Sequence, residues 1–192
     1  MIERFLAAPL DGVAADSAAA ADSAAALMRP DDLVAAIVAF VRAVHAEAPE
    51  IGAEPATPES FVARARERLA AGLITSDTFD AAYRDQSPQR LVDIAAGLAE
   101  QLARRPQPDI AAVQVHGDLS LGDLRLVDGV VVGWTVPGRP LVGDGYLDLS
   151  FLARDLAVSV GPMAVPALFD LYGIERPDPV RIEFWVTLRQ LL

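Results

Sequence analysis

The sequence contains no cysteine and no lysine; all sixteen of its basic residues are arginine. Without cysteine, a disulfide framework, a thiolate metal site and a cysteine nucleophile are all excluded, and the redox compartment stays undetermined. Histidine occurs twice, at His45 and His116, and neither has a second histidine near it in sequence. His45 therefore reads as a packing or surface residue rather than a metal ligand. Positive charge is scarce: sixteen arginines against 27 acids leave a net charge of −11, which argues against nucleic acid or an anionic membrane as partner, since both need a cationic footprint. No run of about 20 apolar residues is long enough to span a bilayer, and the opening residues lack the pattern of a secretory signal. Cytoplasmic residence is the default expectation.

A chain of 192 residues fits one domain with a normal core. Ala14 to Leu27 is low in complexity, built of alanine with Asp16, Ser17, Asp22 and Ser23. It reads as a frayed helix or a mobile linker, because an all-alanine face has little to bury. Pro30-Asp31-Asp32 opens a helix with an apolar stripe at Leu33, Ile37, Phe40, Val41 and Val44. Thr57-Pro58-Glu59-Ser60 caps a second helix running to about Ala71, with Arg64, Arg66 and Arg68 as its solvated face. Ser87-Pro88 starts a third, with Leu91, Ile94, Leu98 and Leu102 inward, ended by Arg104-Arg105-Pro106. The period then changes. Ala111 to Val115 reads as a short strand, and Leu124 to Val127, Asp128-Gly129 and Val130 to Val132 read as a hairpin. An irregular stretch from Gly133 to Gly145 precedes three more helices: Leu147 to about Val160, Pro162 to Tyr172, and one capped by Asp178 with Pro179 at its first position.

Between strand and hairpin lies Val115-His116-Gly117-Asp118-Leu119-Ser120-Leu121-Gly122-Asp123-Leu124. This stretch resembles the catalytic loop of aminoglycoside 3′-phosphotransferases, in which His-Gly-Asp is followed, five residues after the Asp, by Asn; here the fifth residue is Asp123. The resemblance extends to Gly143-Asp144-Gly145-Tyr146-Leu147-Asp148-Leu149 with Arg154-Asp155. It also takes in Ala65 to Leu73, Asp77 to Asp80, Leu171 to Ile174, and Pro177 through Phe184-Trp185. It implies an α+β, mainly helical fold, the C-terminal lobe of the protein-kinase-like architecture, over residues 30–192. Phe5 to Gly12 resembles the hinge that follows the N-terminal lobe, so residues 1–29 are expected to be hinge and alanine-rich linker.

The same resemblance implies roles for individual residues. Asp118 and Asp123 are the candidate catalytic residues, Asp118 as the base for a substrate hydroxyl. His116 braces the loop and Asp148 anchors it from a helix start. The phosphate-pairing lysine belongs to the N-terminal lobe and this sequence has none. The family's Gly-x-Ile-Asp-x-Gly-Arg reads Gly133-Trp134-Thr135-Val136-Pro137-Gly138-Arg139, so the metal-binding Asp is Val136, which offers no oxygen donor. At the C-terminal end, an Asp-Glu pair that holds a polycationic sugar is replaced by Arg189 and Gln190. The expected protein is thus a degenerate phosphotransferase without ATP-dependent activity, cofactor or metal. Its expected ligand is an apolar or mixed small molecule, contacted by Leu119, Leu121, Trp134, Val136 and Tyr146. If an enzyme, it runs a cofactor-independent reaction of specialised metabolism. A second copy or a partner chain is expected to cover the exposed lobe face. Two alternatives stay open: a phosphotransferase acting on a small-molecule hydroxyl with its other lobe supplied elsewhere, and a noncatalytic dimerisation module.

Overall fold

The computed structural model describes residues 28–106, 110, 112–135 and 139–192. The hinge-like and alanine-rich stretch ahead of residue 28, and the candidate ligand contact Val136, lie outside the described residues. Six helices carry the mass of the described structure: α1 (Pro30–His45), α2 (Pro58–Ala70), α3 (Pro88–Ala103), α4 (Tyr146–Ser159), α5 (Ala164–Tyr172) and α6 (Pro179–Arg189). The starts of α2, α3 and α6 share one device, a side-chain cap followed by proline. Thr57 accepts from the Ser60 amide at 3.2 Å, Ser87 from that of Arg90 at 3.2 Å, and Asp178 from that of Val180 at 2.9 Å. Proline fits there because the first helical N–H has no intrahelical acceptor.

The strands are short. β1 (Glu54–Ala56), β5 (Leu141–Gly143) and β2 (Val113–Val115) form one sheet with β5 central, parallel to β1 and antiparallel to β2. β3 (Leu124–Val127) and β4 (Val130–Trp134) form a separate hairpin, turned at Asp128 and Gly129 with φ of 51° and 76°, the left-handed pair that an Asp-Gly turn supplies. The fold class is α+β and mainly helical. The stretch read as irregular from Gly133 to Gly145 in fact holds β5, and β1 carries no strand signal either. Three residues are too few to show a period of two, and Pro55 is tolerated because β1 lies at the sheet edge.

The core is built around α4, whose buried residues run from Tyr146 through Leu156 and pack on α5 and α6. Trp185, Phe151, Phe169 and Phe184 fill the space between these helices. The buried stripe of α1 is Val34, Ile37, Val38, Val41 and His45. Leu33, Phe40 and Val44 lie at its margin, since α1 packs against α5 on one side and against β2 and β4 on the other. Within the polar minority of the interior, Arg181 and Asp144 form a buried ion pair at 2.6 Å.

Backbone proximity in the sheet makes a direct test. A Cβ on Gly143 would lie 2.5 Å from the carbonyl oxygen and 2.8 Å from the Cβ of Ala56, whereas one on Gly97 in α3 would meet nothing within 4 Å. Gly143→Ala is expected to destabilise by about 2 kcal/mol or more, because strand backbone has to shift. Gly97→Ala is expected to stabilise by about 0.5–1 kcal/mol through lost chain entropy. Urea denaturation of both variants checks the opposite signs.

Candidate functional site

The loop from His116 to Asp123 leaves β2 and is fastened from beneath by Asp148, in the first turn of α4. One Asp148 oxygen accepts the His116 amide at 2.8 Å and the other that of Gly117 at 3.0 Å, and the residue is 0% exposed. His45 Nε2 approaches the same carboxylate at 3.3 Å, while Nδ1 lies 2.7 Å from the Tyr172 hydroxyl. A carboxylate only accepts, so Nε2 donates and Nδ1 accepts from Tyr172. Burial pushes the Tyr172 phenol up to about 12, which keeps that hydroxyl a donor. Tyr172 O–H, His45, Asp148 and the loop amides thus form one buried chain of hydrogen bonds crossing α5, α1, α4 and the loop.

Gly117 has φ of 89°, and a Cβ there would meet Leu141 Cδ1 at 2.4 Å. The turn that lifts Asp118 therefore needs glycine. His116 packs its ring on Trp134 at 5.1 Å between centroids, gives Nε2 to the Thr135 carbonyl, and receives the Asp118 amide at Nδ1 at 3.4 Å. These contacts select the tautomer protonated on Nε2 and leave the ring braced rather than free.

Asp118 projects its carboxyl to solvent at the loop crest. Its surroundings nonetheless raise its pKa, with partial enclosure as the main cause and Asp123 adding to it, against lowering by Arg189, His116 and Arg64. Asp123, by contrast, turns inward: its Oδ2 accepts both the Ser120 amide at 2.8 Å and the Ser120 hydroxyl at 2.6 Å. It caps its own turn.

Several expected ligand contacts are corrected by burial. Leu119 is 0% exposed and belongs to the core. Tyr146 is 4% exposed, packs beside Phe169, and accepts the Asp178 amide at 3.1 Å. Neither presents a side chain to a cleft, because the loop and the start of α4 fold them inward. Leu121 and Trp134 are half-buried, and Trp134 is held edge-on between Phe40 and His116. A bare apolar face at Leu119, Leu121 and Trp134 is therefore not what the chain presents.

Arg189 has a larger role than its residue type announces. Its Nη1 donates to the Phe151 carbonyl at 3.3 Å and the Leu119 carbonyl at 3.5 Å, and its guanidinium lies 4.8 Å from the Phe151 ring centroid. Asp155 links it to the loop, accepting the Leu121 amide at 3.2 Å while lying 3.6 Å from Arg189. The sequence places Arg154-Asp155 in a motif, yet nothing in it ties that motif to Arg189. The His45 partner of Asp148, and the Tyr172 partner of His45, have no local signal at all, each pair being more than a hundred residues apart in sequence.

No protein-family profile matches the chain. An aminoglycoside 3′-phosphotransferase of Escherichia coli is 30% identical over 160 residues, 83% of this chain and 56% of that protein. Its counterpart in Streptomyces fradiae is 28% identical over 162 residues, 81% of this chain and 58% of the relative. Among solved structures, aminoglycoside phosphotransferase APH(3′′)-Id of Streptomyces rimosus, in complex with ADP and streptomycin, matches with a TM-score of 0.73 at 24% identity. That match covers 91% of this chain and 66% of that one. An aminoglycoside-3′-phosphotransferase of type VIII gives 0.70 at 22% identity, covering 84% and 61%. The fold is thus that of a kinase-like phosphotransferase lobe. Curated relatives and solved structures agree in indicating a likeness to the aminoglycoside 3′-phosphotransferases and their kinase-like fold. It spans somewhat more than half the length of the curated relatives it matches.

Two outcomes are expected from this geometry. Asp148→Asn leaves one loop amide facing an NH2 donor, so it should cost about 2–4 kcal/mol and speed hydrogen exchange at the His116 and Gly117 amides. Denaturation and exchange measurements check both. The Asp118 carboxyl should titrate above the ordinary Asp range, move higher in Arg189→Gln and lower in Asp123→Asn, since the arginine favours the charged form and the second carboxylate opposes it. Carboxyl-carbon NMR titration reads each shift. Because the folded-state value is raised, any stability Asp118 contributes is present at acid pH and lost as pH rises through it.

Proposed function

We propose that this chain is a phosphotransferase-like protein in which ATP-dependent phosphoryl transfer has been lost and the cleft beside the His116–Asp123 loop binds a small molecule. The observation that carries this reading is the donor set. Phosphoryl transfer needs a metal held by two protein oxygen ligands, one of them on this loop. Here the loop residue Asp123 has an oxygen committed to Ser120, and the second position is Val136. One carboxylate that already caps a turn is too small a donor set for a hard divalent cation.

What remains is a well-fastened loop that offers Asp118. A carboxyl at the crest of a rigid loop can accept a hydrogen bond from a bound hydroxyl and orient it, or take its proton where the bound molecule makes that favourable. Enzymatic use of the cleft would be cofactor-independent and would depend on shape and on this one acid. Among the described residues the burial of Leu119 and Tyr146 leaves Leu121 and Trp134 as the apolar contacts, so the ligand proposed here is more polar than the loop sequence alone suggests.

A second reading is a phosphotransferase on a small-molecule hydroxyl, its nucleotide lobe provided elsewhere. It is favoured by the intact fastening of Asp118 through Asp148 and by the names of the relatives. One titration separates the two. In calorimetry with ATP and magnesium, the 192-residue chain is expected to give no saturable binding at micromolar concentration. Saturable binding that Asp123→Ala abolishes would establish the second reading instead.

A further inference from the structure

Next to the loop, beneath the end of α6, lies a cavity of about 300 Å³. Its polar wall is formed by Arg68, Arg154, Arg189, Asp80, Thr78 and Gln190. Three guanidiniums converge there, in a protein whose net charge is −11. Their partners are unequally distributed. Arg154 is fully committed, with Nε to Asp80 at 3.0 Å and Nη1 to Asp155 at 2.7 Å. Asp80 is in turn saturated, since Gln190 Nε2 donates to it at 2.9 Å and its own amide donates to Gln190 Oε1 at 2.8 Å. Arg154 and Gln190 together hold the Asp80 carboxyl below its usual range. Arg189 spends its Nη1 on two carbonyls and a longer contact to Asp155.

Arg68 differs. Expected on the solvated face of α2, it is half-buried, and its Nε donates to the Leu191 carbonyl at 3.0 Å. The ion pairs of this wall are Arg154 with Asp80 and Asp155, and Arg189 with Asp155. Arg68 has no carboxylate within ion-pair distance among the described residues. Three guanidiniums thus share two side-chain carboxylates in a half-open cavity. A cationic ligand entering it would meet uncompensated like charge.

We infer that this cavity takes a small molecule bearing an anionic group, a carboxylate or a phosphate, anchored on Arg68 and seated against Arg189. The inference rests on the reading that the cleft binds a small molecule, and it names the charge of that molecule. A guanidinium with free N–H groups is the side chain best suited to grip a planar carboxylate or a phosphate through paired hydrogen bonds. The Thr78 hydroxyl and the Gln190 amide add neutral polar groups on the same wall. Arg189 also donates to the Leu119 carbonyl, which ties the cavity wall to the loop.

The test uses the full chain, labelled with nitrogen-15, and three probes: inorganic phosphate, benzoate and spermidine. Phosphate or benzoate is expected to shift the Nε–H resonances of Arg68 and Arg189 and the side-chain amide of Gln190 saturably, and whichever anion binds more tightly identifies the preferred group. Arg68→Gln should weaken that binding at least about tenfold, since a charge-assisted hydrogen bond is the strong kind. Arg68→Lys, which keeps the charge, should weaken it less, and thermal melting reports whether either variant is folded. The inference is overturned if neither anion shifts these resonances, if folded Arg68→Gln binds as tightly as the parent, or if spermidine binds there in preference. Should Arg68→Gln not fold, the shifts at Gln190 in the parent decide. Micromolar ATP–magnesium binding would sink the preceding reading while leaving anion shifts at Arg68 intact; missing anion shifts without ATP binding would sink this inference alone.

Discussion

A carboxylate buried without a guanidinium beside it is what the rest of this structure depends on. Asp148 sits at 0% exposure, and its oxygens are met by two loop amides and one imidazole rather than by a formal cation of Arg type. Burying such a charge is tolerable only if every lone pair that faces protein finds a donor. The positive end of the α4 dipole adds to these donors. The requirement works in both directions: the carboxylate forces the His116–Gly117 backbone into one conformation, and that conformation is what presents Asp118. Tyr172 and His45 extend the constraint outward, so α1 and α5 cannot slide without disturbing the loop.

Fold and chemistry rest on different groups in this chain. The helices, the loop and its anchor follow the kinase-like fold, while the sequence has valine at position 136 and Asp123 turns its carboxylate into a cap for Ser120. A fold persists through such changes because packing and backbone hydrogen bonds hold it, whereas an activity rests on a handful of groups. Arg189 illustrates the exchange. It satisfies the Leu119 and Phe151 carbonyls and lies over an aromatic ring, so it steadies the loop while altering the charge of the neighbouring cavity.

Much of this architecture was legible in the sequence wherever a local rule governs it. The caps at Thr57, Ser87 and Asp178 and the Asp-Gly hairpin turn each depend on residues within a few positions of one another, and each is found in place. Of the three-stranded sheet only β2 was legible; β1 and β5 are three residues long and are defined by pairing with segments distant in sequence. The loop motif marked Asp118, and the motif from Gly143 to Leu149 marked Asp148. Neither gave a hint that Leu119 and Tyr146 point into the core, since an apolar side chain in a site loop reads the same whether it faces a ligand or the interior. Arg68 looked like one of three equivalent surface arginines on α2. Only the distant Leu191 carbonyl distinguishes it, and a contact across that much sequence leaves no trace in local pattern.

The parallel pairing of β1 with β5 has a kinetic consequence. It joins Glu54–Ala56 to Leu141–Gly143, segments separated by nearly half the chain, so a large loop has to be closed before any strand hydrogen bond offsets the lost entropy. The contacts of α4 with α5 and α6 join segments that follow closely in sequence and do not wait for that closure. The sheet is therefore assembled on helices that have already docked. Since the loop is strung from β2, and β2 pairs with β5 alone, the most exacting geometry of the molecule belongs to its late-forming part. Such a part opens at lower free-energy cost than the helical core, which gives the site an access of its own to partial unfolding while the body of the protein stays folded.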